Sequence, residues 1–141
     1  MVLIEGRVAL QPTEDPDKVR LSISNIFPDS TIEKEEKGFR FSTNDVDKFL
    51  EIIREHRIRD TAVMILERSA REGISGFYLN KQAAFMGVVN FSEGDSTLGD
   101  IEVVVKEGAE ILIESMRNLF FLNHLFVVLV LFNHLLLFID L

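Results

Sequence analysis

The stretch from Phe77 to Gln82 carries side chains that could read nucleic-acid bases. If it is extended, alternation places Tyr78, Asn80 and Gln82 on one face. An aromatic ring can stack on an unpaired base, and amides both donate to and accept from base edges. Lys81 falls on the opposite, apolar face, so we expect alternation to stop near Asn80 and Lys81 to turn outward towards a phosphate. Alternatively, the two amides bond backbone groups at a strand end.

A second chemical feature is a local excess of positive charge before this stretch. Residues 54–81 contain six basic and four acidic residues, a net of +2, whereas the rest of the chain contains nine basic and nineteen acidic residues, a net of −10. The planar guanidinium group can donate two parallel hydrogen bonds to a phosphate. Alternatively, these residues form an ordinary solvated helix face with pairs such as Glu67 and Arg71. The candidate phosphate contacts are Arg57, Arg59, Arg68, Arg71 and Lys81.

The remaining reactive side chains form no catalytic or metal-binding pattern. The sequence has three histidines and no cysteine, and no serine lies in a G-x-S-x-G context. The segment 94–99, GDSTLG, lacks the GK[ST] ending of a phosphate-binding loop. His124 and His134 lie ten residues apart with no carboxylate between them, which is a poor metal site. We therefore predict a protein that is not an enzyme and that uses no cofactor and no metal.

Length and charge narrow the class of protein. A chain of 141 residues suits one domain with a sizeable core. The absence of cysteine and of a secretory leader pattern favours a cytoplasmic protein. A net charge of −8 argues against an extensive basic surface for DNA, so any nucleic-acid site must be a local patch.

Hydrophobic periodicity and turn residues predict the elements that must hold these side chains. Their order indicates an α+β protein, a two-layer α/β sandwich with a mostly antiparallel sheet of about five strands and helices on one face. Gly73 is expected to end the third helix by a left-handed cap. The predicted strands span residues 2–10, 31–36, 39–42, 88–91 and 101–105, with 77–82 as a further strand if it is extended. The predicted helices span about 16–25, 46–53 and 58–71, with a last one from about 108.

The end of the chain differs in composition from the rest. We assign residues 1–117 to the domain and residues 118–141 to an apolar C-terminal tail that has no charge before Asp140. Three interpretations stay open for the tail. It packs against the domain or against a second copy as a homodimer contact, it anchors the protein in a membrane by about 20 apolar residues, or it has no evolved role.

Several blocks resemble an archaeal family of small proteins described as RNA-binding, whose detailed function is unknown. The blocks are QPTEDP at 11–16, IRDTA at 58–62, FYLNKQAA at 77–84, VNF at 89–91 and LGDIEV at 98–103. The resemblance covers about residues 2–115. It implies an α/β sandwich similar to the ribosomal protein that holds five-S RNA, and with it RNA binding. The chain departs from the family at Val88, where a basic residue is common.

We therefore expect a non-enzymatic protein that binds structured RNA. Arg57, Arg59, Arg68, Arg71 and Lys81 would contact phosphates, and Tyr78, Asn80 and Gln82 would meet bases or sugars. Two alternatives come from other classes. They are a protein-interaction module that dimerises through the apolar tail, and a domain tethered to a membrane by that tail.

Overall fold

The computed structural model describes the backbone of residues 1–139 and the side chains of residues 1–118 and 128–136. Within these residues the chain forms six strands and five helices. The strands are β1 (Leu3–Ala9), β2 (Thr31–Glu35), β3 (Gly38–Thr43), β4 (Ser75–Asn80), β5 (Phe91–Ser92) and β6 (Asp100–Glu107). The helices are α1 (Pro16–Ile26), α2 (Asp47–Glu55), α3 (Arg59–Ser69), α4 (Lys81–Phe85) and α5 (Ala109–Ile139).

The strands form one sheet in the order β2-β3-β1-β6-β4-β5, and every neighbouring pair is antiparallel. The sheet confirms the predicted α+β sandwich. β1 occupies a central position between β3 and β6, which explains why its even-numbered residues are the most deeply buried of the strand. The strand that carries Tyr78 and Asn80, β4, lies beside the edge strand β5.

One face of the sheet is buried under the helices. Phe49 of α2 stacks on Phe77 of β4 with ring centroids 5.5 Å apart, and Phe27, which follows α1, stacks on Phe41 of β3 at 5.8 Å. The rings lie within the range of favourable aromatic pairs. Because side chains alternate along each strand, the residues between these positions point to the opposite face, on which none of the helices described here packs.

The open face of the sheet carries mixed charge. Tyr78 lies opposite Glu102, which lies opposite Arg7, and Arg7 in turn lies opposite Arg40. The strand residues of this face include three basic and five acidic side chains, so its net charge is negative. They are Arg7, Arg40 and Lys106, and Glu5, Glu33, Glu35, Asp100 and Glu102.

Two local predictions are corrected by the structure. The extended segment ends at Asn80, and α4 begins at Lys81, so Gln82 lies on a helix instead of the strand face shared with Tyr78. α3 ends at Ser69 with Ala70 in an extended conformation, so Gly73 does not cap it. Instead Gly73 has a positive φ of 80° in the tight turn that joins Arg71 to Ile74.

The last helix begins in the core and continues past residue 117 without a break. Ala109, Leu112 and Met116 are fully buried against the domain. Further along α5, the apolar side chains described between residues 128 and 136 are exposed. The boundary predicted between residues 117 and 118 stays a prediction. The side chains of residues 119–127, and the end of the tail from residue 137, lie outside the part of the chain whose side chains are described.

Candidate nucleic-acid interface

An arginine-lined groove lies between α3 and the beginning of α5. Its volume is about 640 Å³. On α3 the lining positions repeat at spacings of three and four residues, which places the groove on one side of the helix, away from the buried Ala62 and Leu66. The groove brings together two of the predicted arginines and adds one from α5. Its lining residues are Arg59, Asp60, Val63, Met64, Glu67, Arg68 and Arg117.

The charges in the groove are partly compensated. The guanidinium of Arg59 donates to Asp60 Oδ1 at 3.0 and 3.2 Å, and Arg117 forms an ion pair with Glu67. Arg68 is exposed, and it has no ion pair or side-chain hydrogen bond to any residue with a described side chain. With three arginines and two carboxylates, the groove has a net charge of +1. Arg68 is therefore its most available donor for a phosphate.

The other two predicted arginines lie outside this groove. Arg57 lies between α2 and α3 and has a positive φ of 57°, which is uncommon for a residue other than glycine. Arg71 donates from Nη1 to the backbone oxygens of Ala70 at 2.7 Å and of Arg68 at 3.4 Å. This guanidinium thus satisfies carbonyl groups at the end of α3, as a basic residue near a helix C-terminus commonly does.

Lys81 points into the protein and not outward as expected. The residue is 5% exposed. Its Nζ donates to the backbone oxygens of Ala9 at 2.8 Å and Leu98 at 2.7 Å, and lies 3.0 and 3.2 Å from the two carboxylate oxygens of Glu14. An ammonium group has three donors, and these acceptors satisfy them. Lys81 therefore joins the end of β1, the turn before α1 and the loop before β6.

The two amides have different roles. Asn80 Oδ1 accepts from the backbone N–H of Ala83 at 2.8 Å, so Asn80 is the N-cap of α4. Gln82 is exposed, and its side-chain amide bonds none of the described residues. Of the three polar residues after Leu79, Asn80 therefore caps a helix, Lys81 joins three segments and Gln82 faces solvent.

Tyr78 lies on the open face of the sheet. It is 39% exposed. Gly94 lies against its ring, since a Cβ built on Gly94 would come within 3.0 Å of the ring. Ser75, at the start of the same strand, donates to Leu66 of α3 at 2.7 Å and so fixes α3 on the other face. Tyr78 and the arginine-lined groove thus lie on opposite sides of the sheet.

Sequence reasoning missed Arg117. A usable signal was present, because Arg117 is the one Lys or Arg in residues 109–141. It directly follows Met116, which is fully buried, so its side chain leaves the core beside the neighbouring α3. The packing of α3 beside α5 is a tertiary contact, which the local sequence pattern does not predict.

No group of three or more His, Cys, Asp or Glu side chains among the described residues is arranged to hold a metal ion. No helix in that part of the chain has both the length and the apolarity needed to cross a membrane.

The fold and the blocks of sequence around β4 match a class of archaeal α+β proteins. Residues 3–107 match the family model described as RNA binding. The chain is 43% identical over 95 residues to a UPF0201 protein of Methanocaldococcus jannaschii, covering 64% of this chain and 55% of that protein. It is 39% identical over 106 residues to a UPF0201 protein of Methanothermobacter thermautotrophicus, covering 73% and 80%. The chain thus spans only about half the length of the first relative.

Solved structures agree with these matches. An uncharacterized UPF0201 protein superposes with a TM-score of 0.70 at 36% identity, over 75% of this chain and 83% of that one. The UPF0201 protein from Methanococcus jannaschii superposes with a TM-score of 0.67 at 37% identity, over 82% and 97%. The chain belongs to the UPF0201 family, and residues 3–107 match the family model described as RNA binding.

Proposed function

We propose that this protein binds structured RNA, without catalysis, through the arginine-lined groove between α3 and α5. The observation that carries the proposal is the convergence of Arg59, Arg68 and Arg117 on one concave surface. A guanidinium fork matches phosphate oxygens, and Arg68 has none of its donors committed to a described side chain. The family match supports RNA as the ligand.

The groove is a better phosphate site than the open face of the sheet. The open face carries a negative net charge, and its Arg40 already pairs with Glu35 at 3.0 Å. Long-range attraction of a polyanion depends on the local sign of the field, because the whole chain has a net charge of −8. Contact through backbone phosphates would position RNA without reading its sequence.

Of the other residues predicted to contact RNA, some lie beside the groove and others lie outside it. In this proposal Arg57, exposed before α3, and Arg71, at its end, flank the groove and contribute secondary phosphate contacts. Tyr78 is not part of the groove, because the sheet separates them. Lys81 is also excluded, because its ammonium group is buried and satisfied.

Salt dependence of RNA binding tests the proposal. The three groove arginines alone predict a slope of log K against log[salt] of about −2 to −3, and secondary contacts by Arg57 and Arg71 steepen it. Arg68→Gln should weaken binding and reduce the magnitude of that slope by about 1. Arg7→Gln is the matched control, since Arg7 is exposed on the opposite face of the sheet. No binding by the unaltered protein at low salt, or equal losses in both variants, would exclude the groove.

One observation favours a second candidate function, self-association through the tail. Several apolar side chains between residues 128 and 136 of α5 are exposed, among them Leu131 at 62%. A second copy could cover one side of this helix. Sedimentation of the full chain against a chain ending at Arg117 tests the idea. A full-length dimer and a truncated monomer support it, and two monomers exclude it. Membrane tethering by the tail, and a cytoplasmic location, stay predictions.

A further inference from the structure

A second cavity, distinct from the arginine-lined groove, lies between α1 and α4. Its volume is about 310 Å³, at the lower end of small-ligand pockets. The side chains that matter in it are Thr13, Asp15, Lys18, Gln82 and Phe85. They supply a hydroxyl, a carboxylate, a cation, an amide and an aromatic ring around one space.

The aromatic wall of this cavity is available to a ligand. Phe85 is 37% exposed, although it is one of the large apolar residues of the domain. The ammonium of Lys18 lies 5.9 Å from the centre of its ring, within the range of a cation–π contact. A planar ligand could stack on this ring with an attached anionic group close to Lys18.

Glu14 and Lys81 also line the cavity and bond each other, but other polar groups in it keep free hydrogen-bonding capacity. The amide of Gln82 and the hydroxyl of Thr13 bond no described residue, so each can both donate and accept. Asp15 Oδ1 accepts from the backbone N–H of Asp17 at 3.0 Å, which leaves its second oxygen as an acceptor. A carboxylate at this position disfavours a simple anion and favours a ligand that carries an amino group.

The walls are held in place before any ligand arrives. Asn25 of α1 donates to the backbone oxygens of Ala84 at 3.2 Å and Phe85 at 2.8 Å, which fixes the end of α4. At the other end of α4, buried Lys81 fixes Glu14, which precedes α1. A rigid cavity loses little conformational entropy on binding.

We propose that this cavity binds an unpaired nucleobase that carries an exocyclic amino group, with the adjoining phosphate near Lys18. The base stacks on Phe85, the amide of Gln82 bonds its edge, and Asp15 accepts from its amino group. The inference deepens the proposed function, and rests on it where the base belongs to RNA. The same chemistry fits a free mononucleotide.

The test uses the full chain and a labelled tetranucleotide of adenylate. Phe85→Ala should weaken its binding about tenfold, the loss expected for one stacked base. Gln82→Ala, at an exposed position, should weaken it by a smaller factor without affecting folding. Met86→Ala is the matched control, because Met86 is 74% exposed next to Phe85 and does not line the cavity. A tetranucleotide of uridylate, which has no amino group, should bind more weakly.

Adenosine monophosphate distinguishes the two sources of the ligand. If it displaces the tetranucleotide at similar concentrations, the cavity takes a free nucleotide, and if it does not, the base belongs to RNA. Failure of the unaltered chain to bind the tetranucleotide overturns the inference, and so does binding by the Phe85 and Gln82 variants that equals binding by the unaltered chain. Either result leaves the groove intact if Arg68→Gln still weakens binding of structured RNA. If Arg68→Gln leaves binding of structured RNA unchanged while Phe85→Ala still weakens binding of the tetranucleotide, only the proposed function is refuted.

Discussion

Arg117, near the beginning of α5, forms an ion pair with Glu67 on α3, and this pair joins the two walls of the arginine-lined groove. The contact links residues fifty positions apart in the chain. It also means that one of the three arginines is partly neutralised before RNA arrives. The carboxylates of the groove therefore reduce its attraction for phosphate.

Removing that carboxylate should strengthen RNA binding. Glu67→Gln removes one of the two carboxylate partners of Arg117, leaving Glu114 at 3.9 Å, and raises the net charge of the groove by one unit. Since exposed charge pairs contribute about 0.2 to 1 kcal/mol, the affinity at low salt should rise about 1.5- to 5-fold. Glu5→Gln, which removes an exposed carboxylate from the open sheet face, is the control for net charge. Equal effects of both substitutions would mean that RNA senses only the total charge of the protein.

The Lys81–Glu14 pair should be one of the main supports of the fold. Lys81→Met leaves the nearly buried Glu14 without its partner, and breaking such a pair typically costs about 3 to 5 kcal/mol of unfolding free energy. Denaturant unfolding measures the loss, with exposed Lys106→Met as the control. The double variant with Glu14→Gln should recover part of the stability. A cost of Lys81→Met no larger than that of the control would contradict the structural role.

Asn80 should matter for stability and not for RNA. Its side chain caps α4, so Asn80→Ala should lower the unfolding free energy by about 1 kcal/mol, whereas Asn80→Asp keeps the accepting oxygen. The affinity for structured RNA and its salt slope should stay unchanged in both variants. An alanine variant of normal stability that binds RNA poorly would restore the base-reading role expected from the sequence.

A carboxyl pair outside both binding surfaces should give a pH-dependent stability. The pKa of Asp29 is raised above 3.8 by its side-chain hydrogen bond to Asp45 and by the charge of Asp45. The stabilising proton on Asp29 is thus fully present below 3.8 and lost as pH rises through the raised pKa. Asp29→Asn removes the repulsion, so its Tm should exceed that of the unaltered protein near neutral pH. The difference should narrow in acid, and a constant difference would contradict the assignment.

The pKa of Asp45 is shifted in the opposite direction. It is lowered first by a hydrogen bond from the backbone N–H of Asp47, 2.9 Å away, and then by the bond with Asp29. Asp45 therefore stabilises the fold above its ordinary pKa and loses this contribution as pH falls through the lowered value. Asp45→Ala should accordingly reduce Tm near neutral pH more than in strong acid.

The sequence predicts the architecture well because local signals dominate it. Alternation in β1 and the proline after Asp15 mark a strand and a helix start that the structure confirms. Lys81 shows the limit of this reasoning, because its three acceptor groups come from segments far apart in the chain. No local pattern distinguishes an outward lysine from one that long-range contacts draw inward.

The candidate site was only partly predictable for the same reason. Arg59 and Arg68 lie nine residues apart on α3, which turns them about 180° around the helix axis, so their spacing alone does not place both in the groove on the side between them. Whether that side faces Tyr78 depends on which face of the sheet α3 covers. The hydrogen bond from Ser75 to Leu66 holds α3 on the face of the sheet opposite Tyr78. The sheet therefore lies between Tyr78 and the arginines.

Chemical protection of arginines by RNA tests the central claim most directly. Phenylglyoxal modifies accessible guanidinium groups, and mass spectrometry of the full chain locates each modified arginine with and without structured RNA. We predict that RNA protects Arg68 and Arg117 in the groove and leaves Arg7 and Arg40 on the open sheet face as reactive as before. Protection of Arg7 and Arg40 with Arg68 still reactive would place RNA on the other face and contradict the account.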